Sequence, residues 1–199
     1  TIEAGTLHGV LGENGAGKST LMKILSGYVS ADAGAVVLGG RQLALASPRD
    51  AVAAGIGMLH QDPLVFLPFS VLDNFLVGSP GGLRVDRSAG ARVLAELAAW
   101  FGFDFDPDAP ARALTVGERQ RLEIVRPLRL WVRILILCDP TTGISVVQQV
   151  KLFEALRSLA AEGMSVIFVS HKLDEVEELC GRVSVLRRGQ LVGEAAMPC

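Results

Sequence analysis

The sequence predicts an α/β fold: a mostly parallel sheet with a small antiparallel β part and an inserted helical subdomain. Mostly apolar runs at 7–11, 134–137 and 165–171 lack the alternation of a half-exposed strand and read as strands buried on both faces. Each ends in polar residues and is followed by a helical pattern, the alternation that builds a parallel sheet with ligands along its carboxyl edge. Between 62 and 110 the pattern is mainly helical while β-type patterns lie on either side, which marks an insertion.

The first strand, Leu7-His8-Gly9-Val10-Leu11, opens onto Gly12-Glu13-Asn14-Gly15-Ala16-Gly17-Lys18-Ser19-Thr20, which fits G-x-x-x-x-G-K-[ST]. These residue types suit a phosphate cradle. The glycines let backbone N–H groups turn inward around Asn14 and Ala16, Lys18 supplies a point charge for terminal phosphates, and the Ser19 hydroxyl suits Mg²⁺. A helix from Thr20 to a stop at Gly27 points its positive end at the same place. The plain alternative is a chance glycine-rich turn. The chain opens directly on this strand with no aromatic residue before the loop, so a truncated N-terminus is the expectation.

The remaining elements follow in order. Ala35–Leu38 and Arg41–Leu43 flank Gly39-Gly40 and read as a hairpin. Ser47-Pro48 supplies a helix cap and first residue. Ile56 to Gln61 is a strand candidate. The helical region from Asp62 breaks at Ser79-Pro80-Gly81-Gly82, resumes as an amphipathic run from Ala89 to Trp100, and ends in the loop Phe101–Pro107. Leu114 to Gln120 leads into a helix through Val125. Ile134–Leu137 is a buried strand ending in Cys138-Asp139-Pro140-Thr141, Ser145 to Gly163 a helix, and Ser165 to His171 another buried strand. A short acidic helix from Lys172 to Cys180 precedes a hairpin of Val183–Leu186 with Gln190–Val192.

Composition narrows the classes. Half of the 199 residues are hydrophobic and mean hydropathy is +0.40, apolar enough to suggest a sheet covered on both faces and a sticky partner surface. The most apolar run, Leu130–Leu137, is interrupted by Arg133 and falls short of the ~20 residues of a membrane helix. A net charge of −2 with no basic run argues against a nucleic-acid partner. Three cysteines without metal-ligand or redox spacing, and no signal peptide, fit a reducing cytoplasm.

The phosphate loop, Gln61 after a strand, Leu114-Thr115-Val116-Gly117-Glu118, the strand before Asp139-Pro140-Thr141, and Val169-Ser170-His171 stand in an order that resembles the ATP-binding subunits of ABC transporters. The wording Thr115-Val116-Gly117-Glu118-Arg119-Gln120-Arg121 is most similar to bacterial sugar and nucleoside importers. The resemblance covers the whole chain. It implies one ABC-type domain over 1–199, with a P-loop NTPase core at 1–61 and 132–199 and a helical subdomain at 62–131. It also implies MgATP sandwiched in a homo- or heterodimer between one subunit's phosphate loop and the other's Thr115, Gly117 and Glu118. Transmembrane permease subunits would be the partners, the segment after Gln61 the place where they dock, and the cytoplasmic face of the membrane the location. Position by position, Gln61 matches the residue that reaches Mg²⁺ and the attacking water, with Ser19 as the other Mg²⁺ contact. His171 matches the γ-phosphate switch histidine, and Asp139 falls where the family has its catalytic glutamate. Taken singly, each also fits a plain role: His171 ends a strand, Gln61 is a surface amide, Thr115 is a helix cap.

Departures accompany the match. Cys138 stands where the family has the aspartate that holds Mg²⁺ through water, and a neutral thiol is a poor partner for a hard cation. Asp139 is one methylene shorter than glutamate. Pro127 falls in a helical pattern, where it costs about 3 kcal/mol or a kink, and Trp131-Val132 replaces a polar turn. Tyr28 does not replace the missing upstream aromatic. Two function classes follow: a transport ATPase, or a nucleotide-binding or regulatory subunit deficient in hydrolysis. A chromosome- or repair-type ATPase is disfavoured, because residues 61 to 114 carry no sustained heptads.

Overall fold

The computed structural model describes residues 1–59, 65–78, 86–130 and 132–197. In chain order the elements are β1 (Leu7–Leu11), α1 (Lys18–Leu25), β2 (Val36–Leu38), β3 (Arg41–Leu43), α2 (Pro48–Ala53), β4 (Ile56–Leu59), α3 (Val71–Leu76), α4 (Arg87–Trp100), α5 (Val116–Leu128), β5 (Ile134–Cys138), α6 (Val146–Ala161), β6 (Ser165–Ser170), α7 (Leu173–Leu179), β7 (Arg182–Arg187) and β8 (Gln190–Ala196). They fall into two compact units. The first comprises Thr1–Met58, Trp131–Asp139 and Leu156–Cys199, the second Leu59–Leu130 and Pro140–Ala155.

Among the described residues, the first unit holds a six-stranded sheet in the order β4-β5-β6-β1-β7-β8 and the separate antiparallel pair β2-β3. β1 runs parallel to both β6 and β7, and β5 parallel to β6, while β8 turns back antiparallel on β7. The α/β class, the mainly parallel sheet and the small antiparallel part are therefore as expected. Every residue of β6 is buried, as are Leu135 to Cys138 of β5, which explains their unbroken apolar runs. One side of the sheet packs Val10, Ile136, Cys138, Ile167, Val169 and Leu186 with Met22, Ala16, Ala51 and Ile56 into a core. Full burial of the Val, Ile, Leu and Met side chains among them stabilises by about 1.5–3 kcal/mol each.

The second unit contains α3, α4 and α5. Ser70 caps α3 by accepting from Asp73 N, and Asp86 caps α4 by accepting from Ala89 N. Asn74, fully buried, accepts from Phe66 N at 2.7 Å and donates to Phe66 O at 3.0 Å and Ser70 O at 2.9 Å. These bonds fold the 66–70 turn and leave Phe66, Leu67 and Phe69 about half exposed. The loop at 101–107 is held by ring contacts, with Phe101 stacked on Phe103 at 5.5 Å and Phe103 against Phe105 at 6.1 Å.

Several boundaries differ from expectation. α1 begins at Lys18, two residues early, because Gly17 already serves as its cap in the left-handed region. The strand expected to reach His171 ends at Ser170, and His171 lies in the bend that follows. Pro127 lies inside α5, as expected, one residue before its end; it gives no N–H to the preceding turn, and its carbonyl accepts from Leu130 N at 2.9 Å. His60, Gln61, the docking segment through Leu64, the 79–82 break and Trp131 lie outside the described residues, as does Cys199.

Candidate functional site

The phosphate loop is built on the end of β1. Gly12 follows the strand so closely packed that a Cβ there would stand 2.5 Å from Leu186 O, and one on Gly17 would stand 3.3 Å from Gly189 Cα. Gly12 is thus held to glycine by the backbone of β7, and Gly17 by its φ of 100 with Gly189 of the β7–β8 turn close by; Gly189 N also donates to Ala16 O at 2.9 Å. The hairpin of Val183–Leu186 with Gln190–Val192 is legible in the sequence, but its contact with the loop is not, since nothing local records it. Lys18 is 7% exposed; its ammonium donates to Gly12 O and, at 3.1 Å, to Glu13 O. Among the described residues two of its three donors are thus used within the loop, and the third is left to a ligand. Asn14, Gly15, Ser19 and Thr20 are exposed, so the loop and the first turn of α1 present N–H groups, two hydroxyls and one positive charge to an anion.

Strand register brings further groups to the same edge. Cys138 pairs with Val169 and Val169 with Val10, so β5, β6 and β1 end side by side. Asp139 and His171 come directly after those ends. Asp139 adopts φ 45, a left-handed conformation in which Asp is among the better-tolerated side chains, and its backbone N donates to Val169 O at 2.9 Å. Its Oδ1 lies 2.9 Å from Nδ1 of His171. Cys138 is buried in the core cluster that also holds Val10, Val169 and Met22, with Val169 its partner in register. Burial first, and then the charge of Asp139, push its thiol up to about 12, so it is neutral at physiological pH.

The bend that carries His171 has a support that sequence reading missed. Ser170 Oγ accepts from Lys172 N at 3.1 Å and donates to Glu175 Oε2 at 3.1 Å, while Glu175 Oε1 accepts from Lys172 Nζ at 2.7 Å. Glu175 is 2% exposed. Its only sequence signal is a carboxylate five residues after a strand-ending serine.

The stretch 114–118 belongs to the second unit. Thr115 caps α5 in a reciprocal box: its Oγ1 accepts from Glu118 N at 3.3 Å, and Glu118 Oε2 accepts from Thr115 N at 2.7 Å. The bonds from Thr115, backbone before side chain, hold the Glu118 carboxyl below the usual range. The side chains of Thr115 and Glu118 therefore serve each other, and what the helix start presents outward is backbone N–H and the exposed Val116. Gly117 is fixed by close approach, because a Cβ there would lie 2.8 Å from Gly143 O.

Among the described residues no group of three or more His, Cys, Asp or Glu side chains could hold a metal ion. A divalent cation arriving with phosphates would find the Ser19 hydroxyl at the start of α1, whereas the buried neutral Cys138 offers it no charge. The donor set fits a cation carried in by a nucleotide and contacted by the protein at few points.

A family model described as ABC transporter matches residues 1–142. The chain is 41% identical to the glucose import ATP-binding protein TsgD13 of Haloferax volcanii, with 97% of this chain and 40% of that one covered. It is 42% identical to the ribose import ATP-binding protein RbsA of Chromobacterium violaceum, with 98% of this chain and 39% of that one covered. The chain thus spans about 40% of the length of these curated relatives. The fold is shared with the crystal structure of a nucleotide-free ATP-binding cassette from an ABC transporter, at a TM-score of 0.87 and 23% identity over 99% of this chain and 83% of that one. It is shared too with a dimeric ATP-binding cassette in a post-hydrolysis state bound to ADP and Pi, at a TM-score of 0.87 and 19% identity over 100% of this chain and 88% of that one.

Proposed function

The chain belongs to the ABC transporter family, and on that premise we propose that it is an ATP-binding subunit whose ATPase cycle drives import of a sugar-class solute. The observation that carries the proposal is the loop itself, with Lys18 folded onto the carbonyls of Gly12 and Glu13 beside the aligned ends of β5 and β6. The whole of 1–199 acts as one ABC-type domain, with 62–131 as its helical part. Gly12, Asn14, Gly15, Ala16, Gly17, Lys18, Ser19 and Thr20 bind the phosphates of ATP, and Ser19 with Gln61 contacts the Mg²⁺ that the nucleotide brings. When bound, Mg²⁺ neutralises charge on the terminal phosphates. Asp139 orients water, and His171 contacts the γ-phosphate. Thr115, Gly117 and Glu118 shape a helix start that faces the nucleotide of a second ATP-binding subunit.

The names of the relatives support the sugar class: glucose, ribose and arabinose import ATP-binding proteins share about 40% identity with the chain. Among the described residues no helix is long and apolar enough to cross a membrane, which agrees with a peripheral subunit on the cytoplasmic face that works through permease subunits. The half-exposed Phe66, Leu67 and Phe69, just after the Gln61 segment, suit such a contact. One observation favours a second reading, a nucleotide-binding subunit deficient in hydrolysis: Cys138 is buried and neutral where an anionic anchor is expected.

Calorimetry with MgATP tests the premise. Wild-type protein should bind and Lys18→Ala should lose at least about a hundredfold in affinity, since the substitution removes the loop's charge-assisted contact. Equal affinities would overturn the assignment. ATP turnover of the wild type with its permease subunits then separates the two readings.

A further inference from the structure

We propose that Glu175 is a positioning residue that sets His171 for the terminal phosphate of the nucleotide. The proposal rests on the reading of His171 given above. His171 occupies a bend between β6 and α7, and its own side chain is half exposed and, among the described residues, bonded only through Nδ1 to Asp139. Its backbone therefore needs to be fixed from elsewhere. Both neighbours are tied to one buried carboxylate: Ser170 through its hydroxyl to Oε2, and Lys172 through its ammonium to Oε1. Ser170 Oγ closes the ring by accepting from Lys172 N, so the three bonds bracket His171 on either side. The hydroxyl donates once and accepts once, and each carboxylate oxygen accepts from a different partner, so the network is satisfied around the bend.

Burial makes the arrangement specific. Glu175 is 2% exposed and Ser170 fully buried, and a carboxylate in such a place is retained only with partners that compensate its lost hydration. Glu175 sits in the first turn of α7, where a negative charge is also favoured by the helix. Neither fact requires that its two oxygens engage the two residues flanking the histidine. That choice of partners converts a stable helix start into a clamp on one side chain. An error of about 1 Å at a contact made by His171 is the scale that matters for function. A terminal phosphate present in ATP and absent in ADP is the group that would register it.

The test compares equilibrium affinities for ATP and ADP, each with Mg²⁺, on the full chain. His171→Ala should reduce the preference for ATP over ADP by about tenfold, the scale of one lost hydrogen bond to a charged group. Glu175→Ala should reduce the same ratio by a similar factor with ADP affinity within twofold of wild type. Glu175→Gln keeps an acceptor for Ser170 and should restore most of the preference. The double variant with His171→Ala should fall no further than His171→Ala alone. Should Glu175→Ala not fold, Ser170→Ala cuts the same link with one small change and should lower the ratio in the same direction. If His171→Ala lowers the ratio while the Glu175 and Ser170 variants leave it at the wild-type value, or lower ATP and ADP affinity alike, the clamp is refuted and the histidine reading survives. If His171→Ala leaves the ratio unchanged, both are wrong.

Discussion

Oδ1 of Asp139 lies 2.9 Å from Nδ1 of His171, across the ends of two adjacent parallel strands. An ionised carboxylate only accepts, so a neutral ring must donate from Nδ1, which leaves Nε2 as the acceptor. The side chain expected to handle water and the one expected to meet phosphate thus hold each other within one chain.

That geometry predicts a tautomer. Nitrogen-15 spectra of the protein without nucleotide should show His171 protonated at Nδ1, and Asp139→Ala should shift it to the mixture of an unconstrained ring. A ring already mixed in the wild type would mean that the contact is not held in solution.

The close approach of Gly117 to Gly143 O, at 2.8 Å for an added Cβ, predicts a folding defect for any larger residue at 117. Gly117→Ala should cost about 1–3 kcal/mol in urea unfolding without nucleotide, the scale of overpacking a tight site. Loss of ATP-driven dimerisation in such a variant is therefore no proof of a contact in trans. An unchanged midpoint would show that the loop at 143 yields freely.

Val116 offers the cleaner probe of that contact. It is the first residue of α5 and 64% exposed, so Val116→Asp disturbs no packing and places a charge where the helix favours one, for about 0.3–1 kcal/mol. The same charge would repel an incoming phosphate. Single-chain affinity for ATP should stay as in the wild type while ATP-driven dimers, followed by sedimentation, weaken at least about tenfold. Unaltered dimerisation would exclude the start of α5 from the partner's nucleotide.

The fold was legible because its strongest signals are local. Buried parallel strands write themselves as unbroken apolar runs, as in β5 and β6, and caps such as Ser47, Thr115 and the Gly39-Gly40 turn are read from one or two residues. What stayed hidden is contact between segments distant in sequence. Gly12 is crowded by Leu186 of β7, Gly17 is approached by Gly189 of the β7–β8 turn, and Gly117 by Gly143, although the motif alone suggested only phosphate geometry. Thr115-x-x-Glu118 is written plainly as a capping box, and the structure forms both of its bonds. Cys138 was visibly out of place, but only its burial in one cluster with Val10, Val169 and Met22 shows that it serves as core.

His8 predicts an acid limb in stability. It is 2% exposed, with Nε2 2.8 Å from Ser184 Oγ, which in turn donates to Glu194 Oε1 at 3.0 Å. Burial holds its pKa below the ordinary imidazole value; Glu194 opposes this, and the N-terminus and Arg182 assist. The unfolded chain therefore takes up the proton more readily than the folded one. Stability from this group is complete above about pH 6.5 and is lost as pH falls through the folded value. His8→Gln should flatten that limb in urea unfolding across pH 5 to 7, and a slope identical to wild type would place the acid sensitivity elsewhere.

Cys138 and Asp139 carry the prediction on turnover, which should be slow in the natural chain. A carboxylate one methylene short misses its position by roughly 1.5 Å, one C–C bond, and a misplacement of about 1 Å can cost on the order of 10²-fold in rate. The short side chain is moreover engaged with His171, and φ 45 at this residue suits Asp better than Glu. Cys138 adds a second defect, since its thiol, pushed up to about 12, supplies no charge at the strand end. Each single replacement meets an obstacle. Asp139→Glu alone must adopt the left-handed conformation without an anionic neighbour, and Cys138→Asp alone buries a carboxylate beside Val10 and Val169, with Lys18 as the nearby positive charge. Together the two supply reach and charge. The double variant should therefore turn over ATP at least about tenfold faster than either single one, with ATP affinity within a few-fold of wild type because Gly12 to Thr20 is untouched. A wild-type rate already within about 1–10³ per second, unchanged by the double replacement, would show that Asp139 does not stand at the reacting water.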